Sequence, residues 1–151
     1  MTLLEEEVRR HPLFRGLDPA LVRAAARGAR EREAGTGELI AHEGAPAETL
    51  LLILSGKVAL QLDAPEGGDL TVQTVGAGEV VGWSWLVPPH RWRFDVRAVK
   101  PTRVLVLDGR SLREGLAENP GAGFPFLLRF LPVLAERLEN TRLQLMDLHA
   151  R

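Results

Sequence analysis

The sequence contains no cysteine and no tyrosine, and only three serines and four histidines are spread over its 151 residues. The missing cysteines exclude disulfides, thiolate nucleophiles and cysteine-ligated zinc. Ser84 lacks the glycine two positions later that a hydrolase nucleophile elbow requires, because Leu86 stands there. We therefore expect no hydrolase.

The histidines give no metal-binding pattern. They lie at positions 11, 42, 90 and 149, far apart in sequence, and His42-Glu43 has no second histidine beside it. We predict that His11, His42 and His149 are surface residues. No metalloenzyme, cofactor or resident metal is indicated, and we expect no enzymatic activity.

The sequence also lacks a long hydrophobic run and an excess of charge of either sign. Its net charge is -1, so the chain as a whole does not attract nucleic acid or anionic lipid. The first residues include the acidic run Glu5-Glu6-Glu7, whereas a signal peptide begins with basic residues. We expect a cytoplasmic protein with no membrane contact.

The length suits one domain covering residues 1–151, mainly β with flanking helices. Residues 1–33 are predicted as N-terminal helices, with Asp18 as N-cap and Pro19 at the first helical position, ending near Gly28 or soon after. Between residues 35 and 108 glycines separate short β-rich segments, and Pro65-Glu66-Gly67-Gly68 suits a hairpin turn. The predicted strands are Glu38–His42, Leu50–Leu54, Lys57–Asp63, Leu70–Val75, Glu79–Gly82, Arg93–Val99 and Arg103–Asp108. This pattern predicts an antiparallel β jelly-roll-like barrel.

Residues 111–151 return to a helical pattern. We predict that Ser111 caps a helix over Leu112–Glu118, which Asn119-Pro120-Gly121 ends. A long C-terminal helix follows, with one apolar row at alternating spacings of 4 and 3: Leu127, Leu131, Leu134, Leu138, Thr141, Leu145 and Leu148. Pro132 should kink this helix or divide it in two. We expect the row to cover the barrel over residues 127–134 and to form a homodimer through Leu138, Leu145 and Leu148.

Residues 76–98 carry the strongest functional signal. Glycines there precede three arginines, and all three tryptophans lie in the same stretch: Gly76, Gly78, Gly82, Arg91, Arg93, Arg97, Trp83, Trp85 and Trp92. Glycine amides and guanidinium groups bind oxyanions, and indole rings stack on flat groups. An alternative interpretation is that the glycines form turns, the tryptophans fill the core and the arginines face solvent.

The order of these elements resembles the cyclic-nucleotide-binding domain family of catabolite-activator-type regulators, kinase regulatory subunits and nucleotide-gated channels. The resemblance covers nearly the whole chain from residue 11. It rests on His11-Pro12-Leu13-Phe14, Gly37-Glu38-Leu39-Ile40, Leu51–Val58, the turn Gly76–Gly82 and the closing helices 111–148.

The resemblance implies a phosphate-binding cassette over residues 78–93, and this sequence departs from the family at two positions in it. In the family a glutamate that binds the ribose hydroxyl follows the glycine matching Gly82, and an arginine that binds the cyclic phosphate comes ten residues later. Here Trp83 and Trp92 occupy those positions, and Arg93-Phe94 replace the small residues that follow. Strand alternation places Trp92, Phe94, Val96 and Ala98 on one face and the arginines on the other. We therefore expect that ordinary cyclic AMP does not bind.

Two interpretations of the cassette remain open. In the first, the domain is a regulatory sensor that signals through its C-terminal helix. It binds an altered anionic or nucleotide-like ligand through Gly82, Trp83, Ser84, Arg91, Trp92 and Arg93. In the second, Trp83 and Trp92 plug the pocket and the domain is a ligand-free dimeric scaffold.

Two other functions are less favoured by the sequence. A cupin-type jelly-roll enzyme needs clustered histidines, which are absent. The sequence carries no helix-turn-helix after Leu148, so we expect no direct DNA binding, and any signal would pass to a protein partner.

Overall fold

The computed structural model describes residues 2–63 and 67–150, in which eight strands lie between two helices at each end of the chain. The helices are α1 (Leu3–Arg10), α2 (Pro19–Ala26), α3 (Gly109–Glu118) and α4 (Pro120–Ala150). The strands are β1 (Arg30–Ala34), β2 (Leu39–Ala41), β3 (Thr49–Ser55), β4 (Lys57–Asp63), β5 (Asp69–Gly76), β6 (Val80–Val81), β7 (Asp95–Ala98) and β8 (Thr102–Asp108). Of the predicted hairpin turn, Pro65 and Glu66 lie outside the described residues, and Gly67 and Gly68 have positive φ.

The strands form two antiparallel four-stranded sheets. One sheet has the order β1-β8-β3-β6 and the other β2-β7-β4-β5. The predicted jelly-roll architecture with flanking helices is confirmed, but among the described residues the two sheets are not joined into a closed barrel. The long helix α4 follows the sheets, as predicted.

The side chains of the central strands alternate between two apolar clusters. In β3, Leu50 and Leu52 pack with the helices, whereas Leu51 and Ile53 pack between the sheets. β8 alternates in the same way, because its partner register sets Leu51 opposite Val106. Strands buried on both faces are apolar throughout, which explains the unbroken run Leu50–Leu54.

The second helix ends close to Gly28, as predicted, but the assignment of the N-terminal helical region up to residue 33 is wrong, because β1 occupies Arg30–Ala34. β1 is an edge strand that pairs only with β8, and Arg103 forms an ion pair with Glu31 across that pair. An edge strand with mostly exposed side chains needs no apolar alternation. Its Arg-Glu-Arg-Glu sequence therefore gives no strand pattern.

Ser111 is not the N-cap of α3, as the sequence had suggested. The helix begins at Gly109, and Asp108 is its N-cap. The Asp108 Oδ2 atom accepts hydrogen bonds from Ser111 N at 3.1 Å and from Ser111 Oγ at 2.7 Å. Asn119 is the C-cap, so the predicted end of α3 is confirmed.

Helix α4 covers the sheets with a different apolar row from the predicted one. Its buried residues are Ala122, Gly123, Phe126, Phe130 and Arg137, whereas Leu127 and Leu134 are only partly buried and Leu131 is 55% exposed. Aromatic side chains offer more apolar area than leucine, and they take the inward position. α4 continues through Pro132, so of the two predicted alternatives the division into two helices is wrong, and the kink stays a prediction.

Two of the predicted dimer residues lie on exposed parts of α4. Leu138 and Leu145 are largely exposed, and the side chain of Leu148 lies outside the described residues. No described side chain after Arg137 is buried. Of the helices within the described ranges, none is long and apolar enough to cross a membrane.

Gly56 is required where β3 turns into β4, and this yields a stability prediction. Its φ is +96°, and a methyl group there would lie 2.4 Å from Thr102 Oγ1 and 2.6 Å from the Pro101 carbonyl oxygen. Gly37 also has positive φ (+85°) but has nothing within 4 Å. We expect Gly37→Ala to cost about 1–2 kcal/mol of unfolding free energy from backbone strain alone. Gly56→Ala should cost at least about 2 kcal/mol more from the clash.

Urea denaturation of both variants measures the difference. Equal losses of unfolding free energy for Gly56→Ala and Gly37→Ala would show that the contact with Thr102 does not constrain the turn.

Candidate ligand-binding site

The 82–94 loop joins β6 to β7 and corresponds to most of the predicted cassette. Its own hydrogen bonds fix its shape: Trp85 Nε1 donates to the Gly82 carbonyl at 3.0 Å, and His90 Nδ1 donates to the Ser84 carbonyl at 2.7 Å. His90 has φ +57°, and its carbonyl accepts a 2.7 Å hydrogen bond from Ala47 N. The loop is therefore ordered by internal contacts and by the segment that precedes β3.

Trp85 connects the 82–94 loop to α4. Its side chain is fully buried, and its ring centroid lies 5.6 Å from that of Phe130 and 6.3 Å from that of Phe126. Phe126 and Phe130 stack on each other at 5.7 Å. Of the three tryptophans, Trp85 thus belongs to the core beneath the helices.

Trp92 is packed between the sheets. It is 6% exposed and lies edge-on to Phe94 at 6.1 Å, with Val96 and Ala98 buried on the same side, as strand alternation predicted. A methyl group at Gly82 would lie 3.0 Å from Trp92 Cη2. The indole therefore fills the space beside Gly82.

Two of the predicted ligand contacts point elsewhere. Arg91 is exposed, and its Nη1 donates to the Gly44 carbonyl at 3.0 Å. Ser84 is buried, with its carbonyl bonded to His90. The roles assigned to Arg91 and Ser84 in ligand binding stay predictions.

A cavity of about 430 Å³ lies between the 82–94 loop, the second sheet and α4. Two of the predicted residues, Trp83 and Arg93, line it together with Arg137 and Thr141 of α4. The rest of its lining is apolar: Leu62, Val72, Val87, Phe94, Leu134 and Leu138. Gly82, Ser84, Arg91 and Trp92 are not part of this lining.

Arg137 is the cavity residue that the sequence analysis missed. It is 7% exposed, its Nη2 donates to the Val80 carbonyl at 2.5 Å, and its Nε has no hydrogen-bond partner among the described residues. Burial lowers the pKa of its guanidinium, because removal from water disfavours the charged form. The spacing of Arg137 could have indicated its burial, because it follows Phe130 by seven residues and so lies on the same face of α4.

A second cavity, of about 360 Å³, lies on the other side of Arg137 and includes His11, Glu79 and Arg129. The prediction that His11 is a surface residue is wrong. Its Nδ1 accepts a 3.2 Å hydrogen bond from Leu13 N, and burial lowers the pKa of its imidazole. The ring folds inward because it closes the turn after α1, whereas His42 and His149 are exposed as predicted.

The described residues include no group of three or more histidine, aspartate or glutamate side chains placed to hold a metal ion. Asp95 and His42 do approach each other, with His42 Nδ1 2.9 Å from Asp95 Oδ1. Asp95 also accepts a 2.7 Å hydrogen bond from Glu43 N, so this pair anchors the turn after β2.

Solved structures similar to this chain include cyclic nucleotide-binding proteins and domains. One from Geobacter metallireducens GS-15 superimposes with a TM-score of 0.76 and 29% identity, covering 91% of this chain and 99% of that one. A cyclic nucleotide-binding domain from Methylobacillus flagellatus KT has a TM-score of 0.74 and 28% identity, covering 95% and 81%.

The sequence signature of the cyclic nucleotide-binding domain family matches residues 31–119. The chain therefore belongs to this family. It is 26% identical over 145 residues to the CRP-like cAMP-activated global transcriptional regulator of Mycobacterium tuberculosis. That alignment covers 96% of this chain but only 63% of the length of the regulator.

The different environments of Trp92 and Trp83 give a second stability prediction. Trp92→Ala should cost about 3–5 kcal/mol of unfolding free energy, because it leaves a void between the sheets. Trp83→Ala removes a partly buried ring from a cavity wall and should cost about 1–2 kcal/mol. Chemical denaturation compares the two variants, and a Trp92→Ala loss no larger than that of Trp83→Ala would show that Trp92 does not fill the core.

Proposed function

We propose that this chain is a non-enzymatic regulatory domain that binds a small anionic or nucleotide-like ligand and signals through α4. The observation that carries the proposal is the composition of the larger cavity. Trp83 and Arg93 of the 82–94 loop and Leu134, Arg137 and Thr141 of α4 line the same space. A ligand there contacts the loop and the helix at once.

Such a placement couples binding to the position of α4. A ligand that contacts two elements binds best to one arrangement of them, so it shifts the population towards that arrangement. Trp85 already links the loop to Phe126 and Phe130 of α4, and movement of either element is transmitted through this contact. The exposed part of α4 then presents the signal to a partner.

The proposed ligand differs from cyclic AMP. The matched regulator is cAMP-activated by name. The family resemblance implies a ribose-binding acid and a phosphate-binding base at the positions where this chain has Trp83 and Trp92. Neither indole supplies a charge, and Trp92 occupies the space beside Gly82. The cations of the cavity come instead from Arg93 and Arg137.

A ligand-free dimeric scaffold is the second candidate function. The burial of Trp92 favours it, because this ring fills the space beside Gly82 at the position where the family resemblance implies a phosphate-binding arginine. The remaining cavity favours the sensor, since a purely structural plug would leave no such volume beside two arginines.

Calorimetric titration with cyclic AMP, cyclic GMP and a cyclic dinucleotide tests the ligand assignment. We expect no micromolar binding of cyclic AMP or cyclic GMP, because neither the acid nor the base of the family is present. Micromolar binding of cyclic AMP would contradict the assignment of Trp83 and Trp92.

Native mass spectrometry of the protein purified from bacteria complements the titration. We expect a small anionic adduct that is lost in Arg93→Ala and kept in Arg91→Ala, whose side chain lies outside the cavity. An adduct unaffected by Arg93→Ala would contradict a role for this cavity.

We also propose that the domain dimerises through the outward face of α4. Leu131, Leu138 and Leu145 lie on that face, and each is more than half exposed. An exposed apolar stripe with coiled-coil spacing is typical of a helix that packs on a second copy. Leu148 continues the spacing, with its side chain outside the described residues.

Charged substitutions on this face test the dimer. Leu138 also lines the cavity, so the test uses Leu131→Glu with Leu145→Glu, and Leu143→Glu is the control. The three leucines have similar exposure (55%, 54% and 49%), but Leu143 lies off the row. Light scattering should show a wild-type dimer, a monomeric double variant and a dimeric Leu143→Glu. A double variant of unchanged mass would contradict the interface.

A further inference from the structure

The buried charge of Arg137 has no carboxylate within ion-pair distance among the described residues. None of the ion pairs found in residues 2–63 and 67–150 includes Arg137. Of its five N–H donors, only the Nη2 group is hydrogen-bonded to a described residue, the Val80 carbonyl. A guanidinium removed from water is costly unless an anion compensates it.

The acids near Arg137 are bound by other groups. Glu136 Oε1 accepts a 2.9 Å hydrogen bond from Gln73 Nε2, and Glu79 Oε1 accepts a 3.2 Å hydrogen bond from Gly76 N. Neither carboxylate comes within ion-pair distance of the guanidinium. Their charges act on Arg137 only at longer range.

The polar groups in the walls of the larger cavity show what kind of ligand could compensate the Arg137 charge. Arg93 also lines the cavity and has no hydrogen bond to a described residue, so a second cation is available. The Thr141 hydroxyl donates to the Arg137 carbonyl at 2.8 Å and keeps its lone pairs for a donor on a ligand. No acidic side chain is among the lining residues.

The apolar walls of the cavity determine the chemistry of the uncharged part of the ligand. Apart from Arg93, Arg137 and Thr141, the lining is aliphatic or aromatic, with the Trp83 ring on the loop side and Leu134 on the helix side. A sugar would bring several hydroxyl groups that find no partners on such walls, and unpaired buried hydroxyls weaken binding. A hydrocarbon chain or ring is compatible with them.

We infer that this cavity binds an apolar organic carboxylate, with its charged group paired to Arg137 and Arg93 and its hydrocarbon part against Trp83 and Leu134. A carboxylate presents two oxygens, which match the fork of a guanidinium. The inference rests on the proposed sensor function and specifies the class of ligand. It also assigns the anion to a helix residue outside the family's cassette.

Calorimetry with two carboxylate probes, naphthalene-2-carboxylate and decanoate, tests the inference. Neutral naphthalene-2-carboxamide controls for apolar binding alone. We expect at least one carboxylate to bind the wild-type protein about tenfold more tightly than the carboxamide. Arg137→Met should weaken that binding about tenfold to a hundredfold, whereas Arg91→Met, outside the cavity, should change it less than about twofold. Equal binding of carboxylate and carboxamide, or undiminished binding by Arg137→Met, would overturn the inference.

A second variant covers the case in which Arg137→Met does not fold. Arg137→Lys keeps the cation and loses the fork, so we expect carboxylate binding to weaken about fivefold or more. The melting temperature of the wild-type protein should rise with the bound probe, and that of Arg137→Lys should rise less. An unchanged affinity in Arg137→Lys would overturn the carboxylate pairing.

Failure of the inference and failure of the proposed function give different results. If a nucleotide of the panel binds and its affinity falls in Arg93→Ala but not in Arg137→Met, the carboxylate inference is wrong and the sensor function stands. If neither the carboxylates nor the nucleotides bind, both are wrong and the scaffold remains.

Discussion

The packing of Trp85 under α4 is the contact on which the candidate site depends. It holds the 82–94 loop against Phe126 and Phe130. The hydrogen bond from Trp85 Nε1 to the Gly82 carbonyl fixes where the loop leaves β6. With loop and helix joined in this way, Trp83 and Arg93 face Leu134 and Thr141 across one cavity. Any ligand in that space acts on a helix that is already coupled to the sheets.

The architecture could be predicted because its signals are local. Glycines at the turns and apolar strands such as β3 indicate the sheets, and alternation predicted that Trp92 and Phe94 share one face. Only the structure shows that this face is the buried one. A strand without a buried face has no alternation of apolar and polar residues. The sequence of β1 therefore did not indicate a strand, and β1 was included in the N-terminal helical region. The N-cap of α3 was assigned to Ser111 because serine suits that position, and only the three-dimensional path shows that the Asp108 carboxylate accepts the hydrogen bond from the Ser111 amide.

The site was only partly predictable because its members meet through long-range packing. α4 carries two apolar rows, one of leucines and one with Phe126 and Phe130, and the sequence does not show which row docks. Once the aromatic row faces inward, Arg137 follows on the same face and becomes buried against Val80. The outward direction of Arg91 is equally nonlocal, because it depends on a hydrogen bond to Gly44, 47 residues earlier. The buried arginine of the cavity thus lies on the helix, whereas the sequence indicated only arginines of the loop.

The central claim is that the loop indoles replace the family's nucleotide contacts and leave a cavity for an apolar anion beside Trp83. Fluorine NMR of protein labelled with 5-fluorotryptophan tests it most directly, because Trp83, Trp85 and Trp92 occupy three different environments. We expect naphthalene-2-carboxylate to shift the Trp83 resonance most and cyclic AMP to shift none. A cyclic AMP titration that moves the Trp92 resonance would contradict the account.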